Sequence, residues 1–211
     1  MSDSPRPKFT FLLAATFVYA GTLAVCFQAQ AQVVNQDQEI FVQNLPIVKA
    51  SSQDPSDILL ASLETVFHDQ NVCCGRNSSL RDSVQAADAG SLRDVAAKLE
   101  GRHRLGDGRT INVTANYVAA DAIRGAPLIA MLMNERAALI EWNSHLYVLR
   151  GVVYRWIESG DPTSVSKTTV IHKLLLWDTR FSDSRRDVVF DRTKDDWSKV
   201  QGLLVLQSLP Q

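Results

Sequence analysis

Hydrophobic and polar positions divide the chain into three stretches of different rhythm. Phe9 to Phe27 is an apolar, uncharged run without periodicity. Between Leu59 and Leu99, apolar residues recur every three or four positions, the spacing that gives a helix one buried face. From Thr110 onward, short runs rich in β-branched and aromatic residues alternate with turn residues, the pattern of strands.

The helical stretch resolves into three elements. Leu59, Leu60, Leu63, Val66 and Phe67 share one face of a helix that starts with polar caps at Pro55-Ser56-Asp57 and ends near His68-Asp69. Leu80, Val84 and Ala87 form the face of a second helix, from Ser78 to near Gly90. Leu92, Val95, Ala96 and Leu99 form that of a third, with Gly101 as its cap. The remainder reads as Gly106-Asp107-Gly108 turning into a strand over Thr110 to Val118, then a short helix over Ala126 to Met133. Strands follow over Ala137 to Trp142, Ser144 to Tyr154, Thr168 to Trp177 and Gly202 to Leu206, with a short one at Val188 to Phe190. A turn is expected over Glu158 to Pro162 and a polar loop over Asp178 to Arg186, with the mixed-charge run Arg180 to Asp187 read as solvated. Helices first and an antiparallel sheet afterwards is the α+β order.

The N-terminal run changes the domain picture. Arg6 and Lys8 precede it, and Ala29-Gln30-Ala31 follows as a small-x-small cleavage site. Residues 1–31 therefore read as a secretory signal peptide, with an uncleaved membrane anchor as the alternative. Residues 32–57 read as an irregular arm with one short strand at Ile40-Phe41-Val42, and residues 58–211 as the folded domain. No second long apolar run follows, so the mature protein is expected to be exported, periplasmic or secreted, with no membrane partner after cleavage. The formal net charge of −1 argues against nucleic acid as a partner, since such proteins carry a basic face.

The candidate chemistry lies in Cys73-Cys74-Gly75, between the first and second helical patterns. A thiol in the first turn of a helix gains thiolate character from the unpaired N–H groups there. In an oxidising compartment, two neighbouring cysteines also read as a vicinal disulfide or as buried thiols. Nucleophilic thiol chemistry needs a histidine to move the proton and an acceptor to orient it. His145 opens one strand and Asp178 follows the next, so antiparallel pairing of those strands puts both at the same end. Asp178 also reads as a local turn cap. His68, His103 and His172 lack paired ligand spacing, so no metal site is expected.

Three motifs carry a family resemblance: Cys74-Gly75, the region Ala126 to Val152 around Trp142-Asn-Ser-His145-Leu-Tyr-Val, and Leu176-Trp177-Asp178. Together they resemble the papain-like cysteine peptidases of the bacteriocin-processing (double-glycine) type. The resemblance implies a papain-like α+β fold, with the cysteine at the start of a central helix packed on an antiparallel sheet. It implies hydrolysis of a peptide or protein substrate without a cofactor. Cys74 would be the nucleophile, His145 the general base and acid, and Asp178 its orienter. Gln70 would be a side-chain donor to the oxyanion hole beside the Cys74 N–H. The gap from His145 to Asp178 calls for an extended hairpin around Arg155 to Lys167, a candidate substrate-facing loop with Trp156 as a contact; an exposed turn with a packed tryptophan is the other reading. The alternative function is a catalytically inactive papain-like binding module with Cys73 and Cys74 oxidised to each other or buried.

Overall fold

A computed structural model describes residues 36–46, 48–68, 78–87, 89–161 and 164–210. The segment 1–31, expected to be a signal peptide, lies outside these residues, as do Gln70, Cys73 and Cys74. The described elements are β1 (Gln38–Phe41), α1 (Pro55–His68), α2 (Ser79–Gln85), α3 (Leu92–Leu99), β2 (Gly101–Arg104), β3 (Thr110–Ala119) and α4 (Gly125–Met133). They continue with β4 (Ala138–Trp142), β5 (His145–Asp161), β6 (Ser164–Trp177), β7 (Asp187–Asp191) and β8 (Val200–Pro210). The four helices and one eight-stranded antiparallel sheet make the chain α+β.

The strands lie in the order β2-β3-β8-β4-β5-β6-β7, and β1 joins on β5. The helices do not all come first, because β1 precedes them and β2 follows α3 directly. The sequence pattern missed β2: Gly101, read as a cap, has φ +113 and also opens this strand. Residues 36–46 and 48–57 contribute more than an arm, since Val42, Leu45 and Ala50 are buried.

α1 buries the face its periodicity marks out. Leu59, Leu63, Val66 and Phe67 are wholly buried, each worth roughly 1.5–3 kcal/mol of burial. The helix contacts β4 and β5, which carry the continuous apolar runs Ala138-Leu139-Ile140 and Val148-Leu149, where adjacent residues are equally buried. Side chains on successive strand residues point to opposite faces, so the middle of the sheet is covered on both.

β5 is the organising strand. Its first residues pair with β4, and beyond a bulge at Leu149–Gly151 the same edge pairs with β1. The close approach of β1 explains Gly151. A Cβ there would stand 2.6 Å from both the Ile40 carbonyl oxygen and the Phe41 Cβ. The other edge pairs with β6 from Val148↔Trp177 to Asp161↔Ser164.

That ladder corrects the expected turn at Glu158 to Pro162, since pairing continues through Asp161 and the reversal falls between Asp161 and Ser164. Residues 155–161 and 164–167 are therefore paired strand, an extended hairpin rather than a loop. Ile157, Thr168 and Thr169 favour it, and Glu158 forms an ion pair of 2.9 Å with Lys167 directly across the strands. Trp156 packs edge-on against Tyr154 and donates to the Gln38 side chain.

Candidate functional site

The β4–β5 connection is a two-residue hairpin turn, Asn143-Ser144. Both residues have positive φ, +54 and +59, as a type I′ turn requires. Asparagine tolerates this region, but serine adopts it at a cost. The turn throws His145 outward, where it is exposed. Its Nδ1 lies 2.9 Å from the Asn143 carbonyl oxygen. A carbonyl only accepts, so this bond places a proton on Nδ1 and leaves Nε2 facing outward without a partner among the described residues. Tyr147 stacks beside the imidazole at 6.5 Å.

Asp178 follows β6 at the same end of the sheet, as antiparallel pairing of the strands requires. Its surroundings are the opposite of those of His145. Asp178 is buried, and its carboxylate accepts from the Arg180 backbone N–H at 3.0 Å and from the Arg180 Nε and Nη2. This double contact with the Asp178 carboxylate raises the Arg180 pKa. Burial first, and the Asp178 charge second, push the Tyr147 phenol up, while the positive charge of Arg180 acts on it in the lowering direction. Thr179 ties this corner to α1: its hydroxyl meets that of Ser62 at 3.0 Å, and its carbonyl accepts from Ala50 N–H. Among the described residues, no hydrogen bond joins His145 to Asp178.

An open cleft of about 640 Å³ lies at this end. Gln53, Pro55 and Ser56 at the start of α1 form one wall, and Ala87 and Ala89 beyond α2 form another. Ser144, His145 and Arg180 close it. The start of α1 is organised by its own polar residues. The Ser51 hydroxyl donates to Asp57 at 2.7 Å, and Ser52, then Ser51, hold the Asp57 carboxyl below the usual carboxylate range. A carboxylate in the first turn also complements the helix dipole.

The start of α2 lies elsewhere. Its cap is Ser78, whose hydroxyl accepts from Arg81 N–H, and the Ser79 hydroxyl accepts from Arg104 N–H at 2.8 Å at the end of β2. Arg104 pairs with Thr110, next to the Ile111↔Pro210 pair, whereas Val200 pairs with Trp142 beside the His145 turn. The two ends of β8 stand about 33 Å apart at the normal strand rise. The helix start that faces His145 is therefore that of α1.

Of the predicted site residues, the structure brings His145 and Asp178 to one end of the sheet without joining them. Cys74 and Gln70 lie outside the described residues. Sequence reasoning missed Gln53, Ser56, Tyr147 and Arg180. The polar helix start at Pro55 was legible, but nothing local tied it to a histidine 90 positions away (145 − 55). Arg180 was hidden in a run that reads as a solvated loop.

Among the described residues, no group of His, Cys, Asp and Glu could hold a metal ion, and no helix is long and apolar enough to cross a membrane. Comparison of the chain with models of known protein families finds no match, and comparison with curated proteins finds none either.

Proposed function

We propose that this protein is an exported, papain-like binding module that holds a peptide in the cleft beside His145 without cleaving it. The observation that carries this reading is the makeup of the cleft. A papain-like hydrolase presents its nucleophile at the start of the helix packed on the sheet, facing the histidine. Here that helix start is α1, and it offers Gln53, Pro55 and Ser56. The carboxylate that would orient the histidine is engaged by Arg180 instead. A half-apolar cleft with a few fixed polar groups suits recognition of an extended chain.

The second reading is the cysteine-dependent hydrolase, with Cys74, His145, Asp178 and Gln70 in the roles given above. The exposed His145 at the rim of a cleft, on the same strand end as Asp178, favours it. One experiment separates the two. The reduced protein is incubated with a mixed peptide library, and bound and cleaved peptides are read by mass spectrometry. Intact peptides should be retained, lost on His145→Trp, which fills the cleft mouth, and unaffected by Cys74→Ser. Cleavage that vanishes in Cys74→Ser would overturn the binding reading in favour of the hydrolase.

A further inference from the structure

A second cavity, of about 380 Å³, adjoins the cleft and shares Gln53 and Arg180 with it. It extends the cleft past Lys49 and Arg185. Among the described residues lining the two, the charged side chains are all basic: Lys49, Arg180 and Arg185. The acidic partners of the arginines do not line the cavities. Asp178 is buried beneath Arg180, and Asp183 grips Arg185 through Nε and Nη2 at 3.0 and 2.7 Å. Phe181 supports the Arg185 guanidinium, whose centre lies 4.7 Å from the centre of the ring. A guanidinium held by one carboxylate keeps further N–H donors in its plane, so each arginine is a pre-oriented donor rather than a flexible charge. Lys49 is exposed and takes part in no ion pair among the described residues.

We infer that the joined cavities form a groove for an acidic peptide segment, its carboxylates taken by Arg180, Arg185 and Lys49 in succession. This rests on the peptide-binding reading above and adds the class of ligand. A peptide fits better than a phosphate-rich polymer, because the half nearest His145 is walled by Pro55, Ile58 and Leu146 and has room for apolar side chains. Charge-assisted hydrogen bonds to carboxylates would supply the selectivity.

The test measures binding of equal-length fluorescent peptides, alternating Glu-Ala, Gln-Ala or Lys-Ala, to the full chain by anisotropy. The Glu-Ala peptide should bind about tenfold more tightly than Gln-Ala. Lys49→Gln and Arg185→Gln, both at exposed positions, should each weaken it several-fold with the circular dichroism spectrum unchanged. Equal binding of Gln-Ala would overturn the acidic-ligand inference while leaving the peptide cleft standing. Failure of every peptide to bind would overturn both. Glu-Ala binding indifferent to both substitutions would overturn the location, and tighter binding of inorganic polyphosphate would overturn the peptide assignment.

Discussion

The two walls that meet at the candidate cleft are built in opposite ways. The Asp178–Arg180 corner is fixed in place: the Asp178 carboxylate holds the Arg180 guanidinium, the Thr179 hydroxyl meets Ser62, and the corner is anchored to α1 and to Ala50. The Asn143–His145 corner is open, with two residues in the left-handed region and an exposed imidazole whose only hydrogen bond among the described residues is to its own turn. Tyr147 belongs to both sides, stacking beside His145 and lying within the fields of Asp178 and Arg180. The contrast separates rigidity from availability. One wall fixes a cation in place, and the other leaves a ring nitrogen free to meet a ligand.

The contrast breaks most severely at Asp178. Asp178→Ala leaves a largely buried guanidinium without its carboxylate, and should lower stability by about 3 kcal/mol in urea denaturation. A loss below about 1 kcal/mol would mean that the corner is not the rigid wall described here.

Tyr147→Phe removes a buried phenol hydroxyl beside the same network, and should change stability by no more than about 1 kcal/mol near neutral pH. It should also change the alkaline limb. A phenol with a raised folded pKa holds its proton more tightly folded than unfolded. Its contribution is thus intact below about pH 10 and lost as pH rises through the elevated value. Wild type should lose stability more steeply than Tyr147→Phe above pH 10, as followed by thermal melts across the alkaline range.

On the open wall the expected signs differ. Ser144→Gly relieves the left-handed serine and restores the preferred Asn-Gly turn, so stability should rise by about 0.5–1 kcal/mol. His145→Ala, at an exposed site, should shift stability by less than about 0.5 kcal/mol while abolishing ligand retention in the cleft. A large loss of stability there would show that the imidazole is a structural support instead.

Much of the architecture was readable residue by residue. The helix over Pro55–His68, the strands around His145 and before Asp178, and the shared end of those strands follow from local periodicity and pairing of successive strands. The site was less legible. Asp178 reads equally as a histidine partner or as a local cap, and the choice was made by Arg180, two residues on, folding back onto it. The hairpin beyond Arg155 looked like a loop because Glu158-Ser-Gly-Asp-Pro carries turn residues. The segment stays in the ladder because it faces the strand that runs back through Lys167, Thr168 and Thr169.

By itself, the sequence determined which segments are helix and which are strand, because hydrophobic period and capping act within a few residues of each other. It also determined that His145 and Asp178 share one end of a hairpin, because adjacent strands joined by a short reversal pair antiparallel. Tertiary structure alone decided that α1 rather than α2 points its start at His145. It also decided that Thr179 locks to Ser62, 117 residues away, and that Tyr147 comes within the fields of Asp178 and Arg180. These are contacts between segments that periodicity treats as independent. Their partners are selected only when the helices settle on the sheet and buried polar groups must find one another.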